Sequence, residues 1–304
     1  MARTRAQDAA GKKDESSPPQ SSKVSKKRQE PADKPEESDE PPAKTSKQDK
    51  KPQNTKAKHD KQAKDHSEAK QSTTTQPKSQ TTHPAKSNNK IQKLLSTYGT
   101  LPLQDTALAD PASPTPETIL AHLLNATLSS TRISHQLAAK TVRTTIEAGY
   151  ATLDTLEKST WQERTEVLTN GGYTHYREKT ATQLGDLAQL LRQEYDGDLN
   201  NLLERAKDSS ASSGAVADEV RQKVKQIKGI GTVAADVFCD TVQGVWHELA
   251  PFVDPRSQKT AAAIGLPTDV EELFDAVERD PVEMCKLASA LTVVRLEKKE
   301  GEFA

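Results

Sequence analysis

The sequence is poor in cysteine and has no long apolar run. Cys239 and Cys285 are the only cysteines among 304 residues, and they lie far apart in apolar helical contexts. This pattern excludes a disulfide framework and a CxxC metal site, so we expect an intracellular, reducing compartment. No stretch approaches the ~20 apolar residues of a membrane span, and the first residues lack the apolar segment of a signal peptide. We therefore expect no membrane partner.

Apolar and aromatic residues are also scarce, at 33% and 4% of the chain. The shortage is concentrated in residues 1–90, which are mostly Lys, Ser, Thr, Gln, Pro, Asp and Glu. Such a segment cannot bury enough apolar surface to offset chain entropy, so the composition predicts a disordered tail over 1–90. Leu, Ile, Val and Ala return over 91–304, which is long enough for one domain or two small lobes. We expect a monomer.

Charge divides the chain at the same place. Residues 1–90 hold 21 basic and 13 acidic residues, a net charge of +8, whereas 91–304 hold 22 basic and 31 acidic residues, a net charge of −9. A basic arm suits a phosphate backbone or a nuclear import receptor. The segment KVSKKR at 23–28 is either a nuclear localisation signal, which predicts a nuclear protein, or a solvated linker of a cytoplasmic one. The acidic body disfavours tight DNA binding unless its basic residues gather on one face.

The apolar residues of 91–304 recur with a helical period, and no stretch alternates with period two. The sequence therefore predicts an all-α fold. One helix is expected to start at Pro116 with Thr115 as its N-cap. Further helices are predicted over 133–148, 155–168, 175–195 and 199–206. A core position is the favoured interpretation for four aromatic residues, Trp161, Tyr173, Tyr176 and Trp246.

The segment QIKGIGTVAADVF at 226–238 predicts a tight bend between two helices, a hairpin over 220–242. Its glycines allow backbone conformations that a Cβ would resist. The first N–H groups of the second helix lack intrahelical partners and carry the positive end of the helix dipole, so they suit one phosphate. The alternative is a tight antiparallel connection without a ligand. The predicted phosphate-binding residues are Lys228, Gly229, Ile230, Gly231 and Thr232.

The sequence that follows carries a family resemblance. Residues 247–267 read HELAPFVDPRSQKTAAAIGLP. In this segment an aspartate follows two apolar residues, and a predicted Ala-rich helix and the tripeptide GLP come after it. The order resembles the helix–hairpin–helix (HhH-GPD) DNA glycosylase superfamily, which includes endonuclease III, from about Pro116 onward. The segment 123–129, LLNATLS, is similar to the family helix that supplies the base-flipping wedge. The segment 170–184, NGGYTHYREKTATQL, is similar to the G-x-Y-x-x-K start of the family's central helix. The resemblance implies a two-lobed helical bundle that binds double-stranded DNA.

The resemblance also implies residue roles. The shared catalytic aspartate falls on Asp254, whose carboxylate would stabilise the developing oxocarbenium ion or orient the attacking water. The damaged base would be flipped out of the duplex, with Thr127 near the wedge position and Tyr173 available for stacking on a base. Asp254 has a structural alternative, because an aspartate before Pro255 is a common helix N-cap. Asp236 and Asp240 are expected on the solvated side of the second hairpin helix.

Two departures from the family pattern narrow the prediction. The lysine nucleophile of bifunctional members is replaced by Val233, which excludes β-lyase chemistry by that route. The four cluster-binding cysteines are absent, so no iron–sulfur cofactor is expected, although the hairpin of this family often holds a monovalent cation through backbone carbonyls. We expect no metal site among side chains. The sequence therefore predicts a monofunctional DNA glycosylase of base-excision repair. The alternative is a catalytically inactive module that binds DNA or another protein. A helical module that binds no nucleic acid would leave the hairpin bend unexplained.

Overall fold

The computed structural model describes residues 84–210 and 213–303, and in that part of the chain it contains twelve α-helices and no strand. The predicted all-α fold is therefore confirmed for these residues. The helices are α1 Pro84–Tyr98, α2 Pro116–Ser129, α3 His135–Glu147, α4 Leu153–Lys158, α5 Trp161–Asn170, α6 Arg177–Glu194, α7 Asn200–Asp208, α8 Ser213–Gln226, α9 Thr232–Val242, α10 Pro255–Ala263, α11 Val270–Ala276 and α12 Pro281–Glu297.

The helices form two lobes, each with its own apolar core. Helices α2 to α9 build the first lobe, around residues such as Leu124, Leu184 and Phe238. Helix α1 joins α10, α11 and α12 in the second lobe, where Leu94 and Leu291 are fully buried. Helix α9 packs against α12 as well as against α2 and α8, so it connects the two cores. The predicted two-lobed arrangement matches this division.

Helix starts follow local capping signals. Thr115 Oγ1 accepts a hydrogen bond from the Thr118 N–H at 3.1 Å, as predicted for the start of α2. The single helix predicted over 155–168 is wrong, because α4 ends at Lys158 and α5 begins at Trp161. A reciprocal capping box causes the break, since Thr160 caps the Glu163 N–H while the Glu163 carboxylate accepts from the Thr160 N–H.

The folded part starts earlier than predicted. Helix α1 begins at Pro84, inside the segment 1–90 that the composition assigns to the tail. Its buried residue Ile91 contributes to the second core, and Lys90 Nζ donates a hydrogen bond to the carbonyl of Ile264 at 2.9 Å. The rest of the predicted tail, including KVSKKR at 23–28, lies outside the described residues.

Two expectations about side-chain exposure are wrong. Asp236 and Asp240 are buried, because α9 lies among α2, α8 and α12, which cover this part of the helix. Trp161 is 47% exposed, because it begins α5 and its indole Nε1 donates to Thr182 Oγ1 of α6 across the surface. Trp246 is buried, as predicted. No helix within the described ranges is long and apolar enough to cross a bilayer.

Candidate nucleic-acid interface

The hairpin has the geometry that its glycines predict. Helix α8 ends at Gln226 and α9 begins at Thr232, the predicted residue. Gly229 lies in the left-handed region with φ of +93°, which reverses the chain, and Gly231 is extended with φ of −93° and ψ of 179°. Ile230 is buried and anchors the bend in the first core. Any ligand therefore meets the backbone of the bend rather than the Ile230 side chain.

The first turn of α9 has no side-chain cap. Gly231 occupies the N-cap position and provides no side-chain acceptor for the following N–H groups. Gly231, Thr232 and Val233 are all exposed, and a Cβ at Gly231 would meet no atom within 4 Å. A Cβ at Gly229 would instead collide with the side-chain amide of Gln183, so that glycine packs against α6. The open side of the hairpin is at Gly231, where an anion has room to approach the N–H groups.

Lys228 is exposed beside the bend, but its ammonium has an acidic neighbour. Lys228 Nζ lies 2.8 Å from the Asp186 carboxylate of α6. Exposed ion pairs are weak, because water and salt screen both charges. A DNA phosphate can therefore compete with Asp186 for Lys228.

Three of the predicted DNA-binding residues line one depression. Thr127, Tyr173 and Gly229 surround a space of about 220 Å³. Thr127 is only 8% exposed and donates to the Leu123 carbonyl, and Tyr173 is 1% exposed. In this conformation neither side chain offers much surface to a base. Their predicted contacts with DNA therefore depend on a rearrangement of the depression.

The rim of this depression carries two cations that the sequence prediction did not assign to the interface. Arg132 follows α2 and Lys179 lies in the first turn of α6, and both are exposed. Neither forms an ion pair within the described residues. Lys179 lies in the segment 170–184 but not at the lysine position of the G-x-Y-x-x-K pattern, which Tyr176 occupies, and nothing in the local sequence singles out Arg132. Together they place positive charge on the same face as Gly229.

Asp254 is the N-cap of α10 and is completely buried, at 0% exposure. Its Oδ1 accepts from the Arg256 N–H and from Arg256 Nε, both at 2.8 Å, and its Oδ2 accepts from Ser257 Oγ at 2.6 Å. The N-cap alternative is therefore correct as local structure. The carboxylate faces its own helix and the Arg256 side chain, so a substrate reaches it only if Arg256 moves.

A second carboxyl group touches Asp254. Asp240 Oδ1 accepts a hydrogen bond from the Asp254 backbone N–H at 2.9 Å. Burial, then the charge of Asp254 and the hydrogen bond with it, raise the pKa of Asp240 well above its usual range. Burial also raises the pKa of Asp254, but hydrogen bonds from Ser257, Arg256 and Asp240 outweigh it and lower that pKa to about 2. Of the two carboxyl groups, Asp240 therefore binds a proton more strongly than Asp254 does.

Val233 occupies the position at which bifunctional members of the resembled superfamily carry the lysine nucleophile, and it is 39% exposed. It lies one residue past the start of α9, on the open side of the hairpin. An aliphatic side chain cannot form an imine, so this surface supplies contact area and no nucleophile. Among the described residues, no group of three or more His, Cys, Asp or Glu side chains could hold a metal ion.

No protein-family model matches the sequence, and no curated protein matches it. Two solved structures are similar to the chain. One is a trapped endonuclease III–DNA covalent intermediate, an estranged-adenine complex, at 14% identity and a TM-score of 0.39, covering 70% of this chain and 86% of that chain. The other is H. pylori 3-methyladenine DNA glycosylase (MagIII) bound to 1,N6-ethenoadenine, at 16% identity and a TM-score of 0.40, covering 70% of this chain and 98% of that chain.

Proposed function

We propose that this protein binds the sugar–phosphate backbone of double-stranded DNA through the α8–α9 hairpin. The observation that carries the proposal is the uncapped, exposed first turn of α9 behind the extended residue Gly231. Helix N–H groups in this arrangement hold one phosphate and read no base, so the binding is independent of sequence.

The charge distribution supports a DNA-binding face on an acidic body. Residues 91–304 carry a net charge of −9, which would repel DNA if it were spread evenly. Lys228, Lys179 and Arg132 instead lie around Gly229, on the hairpin and on the rim of the adjacent depression. DNA is therefore expected to approach this face, and its affinity should fall steeply with salt.

Beyond DNA binding, we propose that the protein is a monofunctional DNA glycosylase of base-excision repair. It rests on Asp254, which a pKa of about 2 keeps ionised inside a buried site, where an anion stabilises a developing oxocarbenium ion more strongly than it does in water. The second candidate is a DNA-binding module without catalysis. It is favoured by the hydrogen bonds from Arg256 and Ser257, which cover the carboxylate.

The hairpin can be tested by deleting one backbone donor. Thr232 is the first residue of α9, where proline is tolerated, and the preceding Gly231 is already extended as a residue before proline must be. Thr232→Pro removes the Thr232 N–H and should weaken binding to an undamaged duplex about tenfold, because a hydrogen bond to a charged group is lost. Thr232→Ala retains the N–H and is the matched control. Equal affinity of the two variants would contradict the hairpin proposal.

The catalytic proposal needs a separate experiment. Duplexes that carry alkylated, oxidised or deaminated bases should yield abasic product, and borohydride should trap no covalent complex with the wild type. Asp254→Asn should retain DNA binding and lose product formation. Product that persists in Asp254→Asn would remove the catalytic role of Asp254. Absence of product with every lesion, together with Thr232-dependent binding, would favour the module without catalysis.

A further inference from the structure

Arg256 and Arg295 lie on two helices that are tied together beside Asp254. Ser257 Oγ of α10 and Thr292 Oγ1 of α12 are 3.0 Å apart and share a hydrogen bond. Arg256 precedes Ser257 directly, and Arg295 follows Thr292 by about one helical turn, on the same side of α12. The two guanidinium groups therefore face the same junction between α10 and α12.

Both guanidinium groups have donors without acceptors. Arg256 Nε donates to Asp254, but Arg256 Nη2 is buried and has no hydrogen-bond partner among the residues that the structure describes. Arg295 Nε is also buried without a partner, and Arg295 forms no ion pair anywhere in the described ranges. Buried donors on charged groups are unfavourable unless an acceptor satisfies them. Two such donors at one junction indicate an acceptor that carries negative charge.

The local charge balance leads to the same conclusion. Asp254 supplies one negative charge, and burial and the charge of Asp254 raise the pKa of Asp240, which disfavours a second negative charge there. Against this stand the charges of Arg256 and Arg295 and the positive end of the α10 dipole. Burial, and then the charge of Arg256, lower the pKa of Arg295. The charges of Asp254 and Glu300 act on Arg295 in the opposite direction, but Asp254 is shared with Arg256, and Glu300 forms no ion pair with Arg295 among the described residues. The junction therefore keeps positive charge that is available to an anion.

We propose that Arg256 and Arg295 form a binding site for a phosphate group, and that in the DNA complex this is a backbone phosphate additional to the one at Gly231. The inference rests on the proposed DNA binding. Guanidinium groups suit phosphate because their planar N–H groups contact two oxygens at once. A phosphate at this junction competes with Asp254 for Arg256, so DNA binding would loosen the cover over the buried carboxylate.

Salt dependence of DNA binding tests the site in the full chain. We expect Arg295→Gln to weaken binding to an undamaged duplex and to reduce the slope of log K against log salt concentration by about one unit, because one phosphate contact is lost. Lys158→Gln is the control, since Lys158 is exposed on α4, which packs on α6, and forms no ion pair within the described part of the chain. It removes the same charge and should leave the slope unchanged.

A second measurement separates the two sources of phosphate. Inorganic phosphate, titrated at constant ionic strength, should raise the unfolding temperature of the wild type more than that of Arg295→Gln or Arg256→Gln, because the two variants keep only the proposed site at Gly231. If phosphate stabilises the wild type more than these variants but the DNA slope of Arg295→Gln equals that of Lys158→Gln, the site takes a free anion and the DNA assignment is wrong. Absence of both effects would overturn the site altogether.

The experiment also distinguishes this inference from the proposed function. If the wild type binds duplex DNA and Thr232→Pro weakens it, hairpin binding stands whatever Arg295→Gln does. If the wild type does not bind DNA, the proposed function fails, while the phosphate titration still reports on the Arg256–Arg295 site. Since Arg295 has no acceptor to lose, Arg295→Gln is expected to fold with wild-type stability. A circular dichroism melt checks this before the binding data are compared.

Discussion

Asp240 holds the backbone of Asp254 directly, through a 2.9 Å hydrogen bond from the Asp254 N–H to Asp240 Oδ1. Asp240 lies in the last turns of α9, whose first turn is the proposed phosphate site, and Asp254 caps α10. The bond therefore joins the hairpin helix to the start of the second lobe. Because the pKa of Asp240 is raised and that of Asp254 is lowered, the junction responds to pH in two opposite ways.

Asp240→Asn should change how stability depends on pH. The folded pKa of Asp240 is raised, so its contribution to stability is complete below its unfolded pKa of about 3.9 and is lost as pH rises through the folded pKa. Asparagine mimics the protonated acid in shape and hydrogen bonding and does not ionise. The variant should be more stable than the wild type by on the order of 1 kcal/mol at pH 8. Urea unfolding between pH 4 and pH 8 measures the difference.

Asp254 determines how the free energy of unfolding changes at acid pH. Its folded pKa is lowered to about 2, so its contribution is present above its unfolded pKa of about 3.9 and is lost as pH falls through about 2. Both the wild type and Asp240→Asn should lose stability in that acid range. Wild-type stability that does not change between pH 4 and pH 8 would show that Asp240 is ionised in the native state.

The two hairpin glycines should respond differently to alanine. Gly229→Ala forces a Cβ into the left-handed region and against Gln183, and should cost about 1–2 kcal/mol of unfolding free energy. Gly231→Ala has an ordinary extended backbone and open space, and should stay within about 0.5 kcal/mol of the wild type. Its methyl group nevertheless lies where the phosphate approaches, so DNA affinity should fall. Equal stabilities of the two variants would contradict the conformation of the bend.

Removing the acidic neighbour of Lys228 should tighten DNA binding. Asp186→Asn releases the ammonium from its 2.8 Å contact and removes one negative charge from the hairpin face. We expect affinity for duplex DNA to rise about two- to fivefold, the size of an exposed ion pair. The same substitution on a Lys228→Ala background should have a smaller effect, and fluorescence anisotropy of all four proteins gives the coupling. An unchanged affinity in Asp186→Asn would show that Lys228 does not contact DNA.

A lysine at position 233 tests whether the sugar of a flipped nucleotide reaches the hairpin. Val233 is 39% exposed, so Val233→Lys should fold normally. With a duplex containing an abasic site, borohydride should trap a covalent complex through an imine in this variant and not in the wild type. An undamaged duplex is the control for non-specific reduction. Binding without trapping would place the sugar away from this position and favour the module without catalysis.

The hairpin could be predicted because its determinants are local. Two glycines and the apolar residues flanking them set the bend, and the start of α9 at Thr232 followed from them. The capping box of Thr160 and Glu163 also has a local sequence signal, a threonine three residues before a glutamate. It explains the break between α4 and α5. The hairpin was predicted correctly from its local residues, whereas the capping box was not used and the single helix predicted over 155–168 was wrong.

The surroundings of Asp254 could not be predicted in the same way. The Asp254 carboxylate is covered because the Arg256 side chain donates a hydrogen bond to it. The burial of Asp240 depends on which helices pack around α9. An amphipathic pattern assigns polar residues to solvent, and α9 departs from it because α2, α8 and α12 cover Asp236 and Asp240 and leave its first turn exposed. The exposure of Trp161 was missed for a related reason, since its indole finds a hydroxyl on α6 that is 21 residues away in sequence.

The position of α1 in the second lobe has a consequence for synthesis on the ribosome. Its buried residues Ile91 and Leu94 pack with residues of α10 to α12, which are made about 160 to 200 residues later. The first lobe draws its core from a continuous stretch, 103–249, and can fold as that stretch emerges. Helix α1 must wait, with its apolar side uncovered, until the last helix is complete. Among the described helices, the first to be made is therefore the last whose apolar side can be covered.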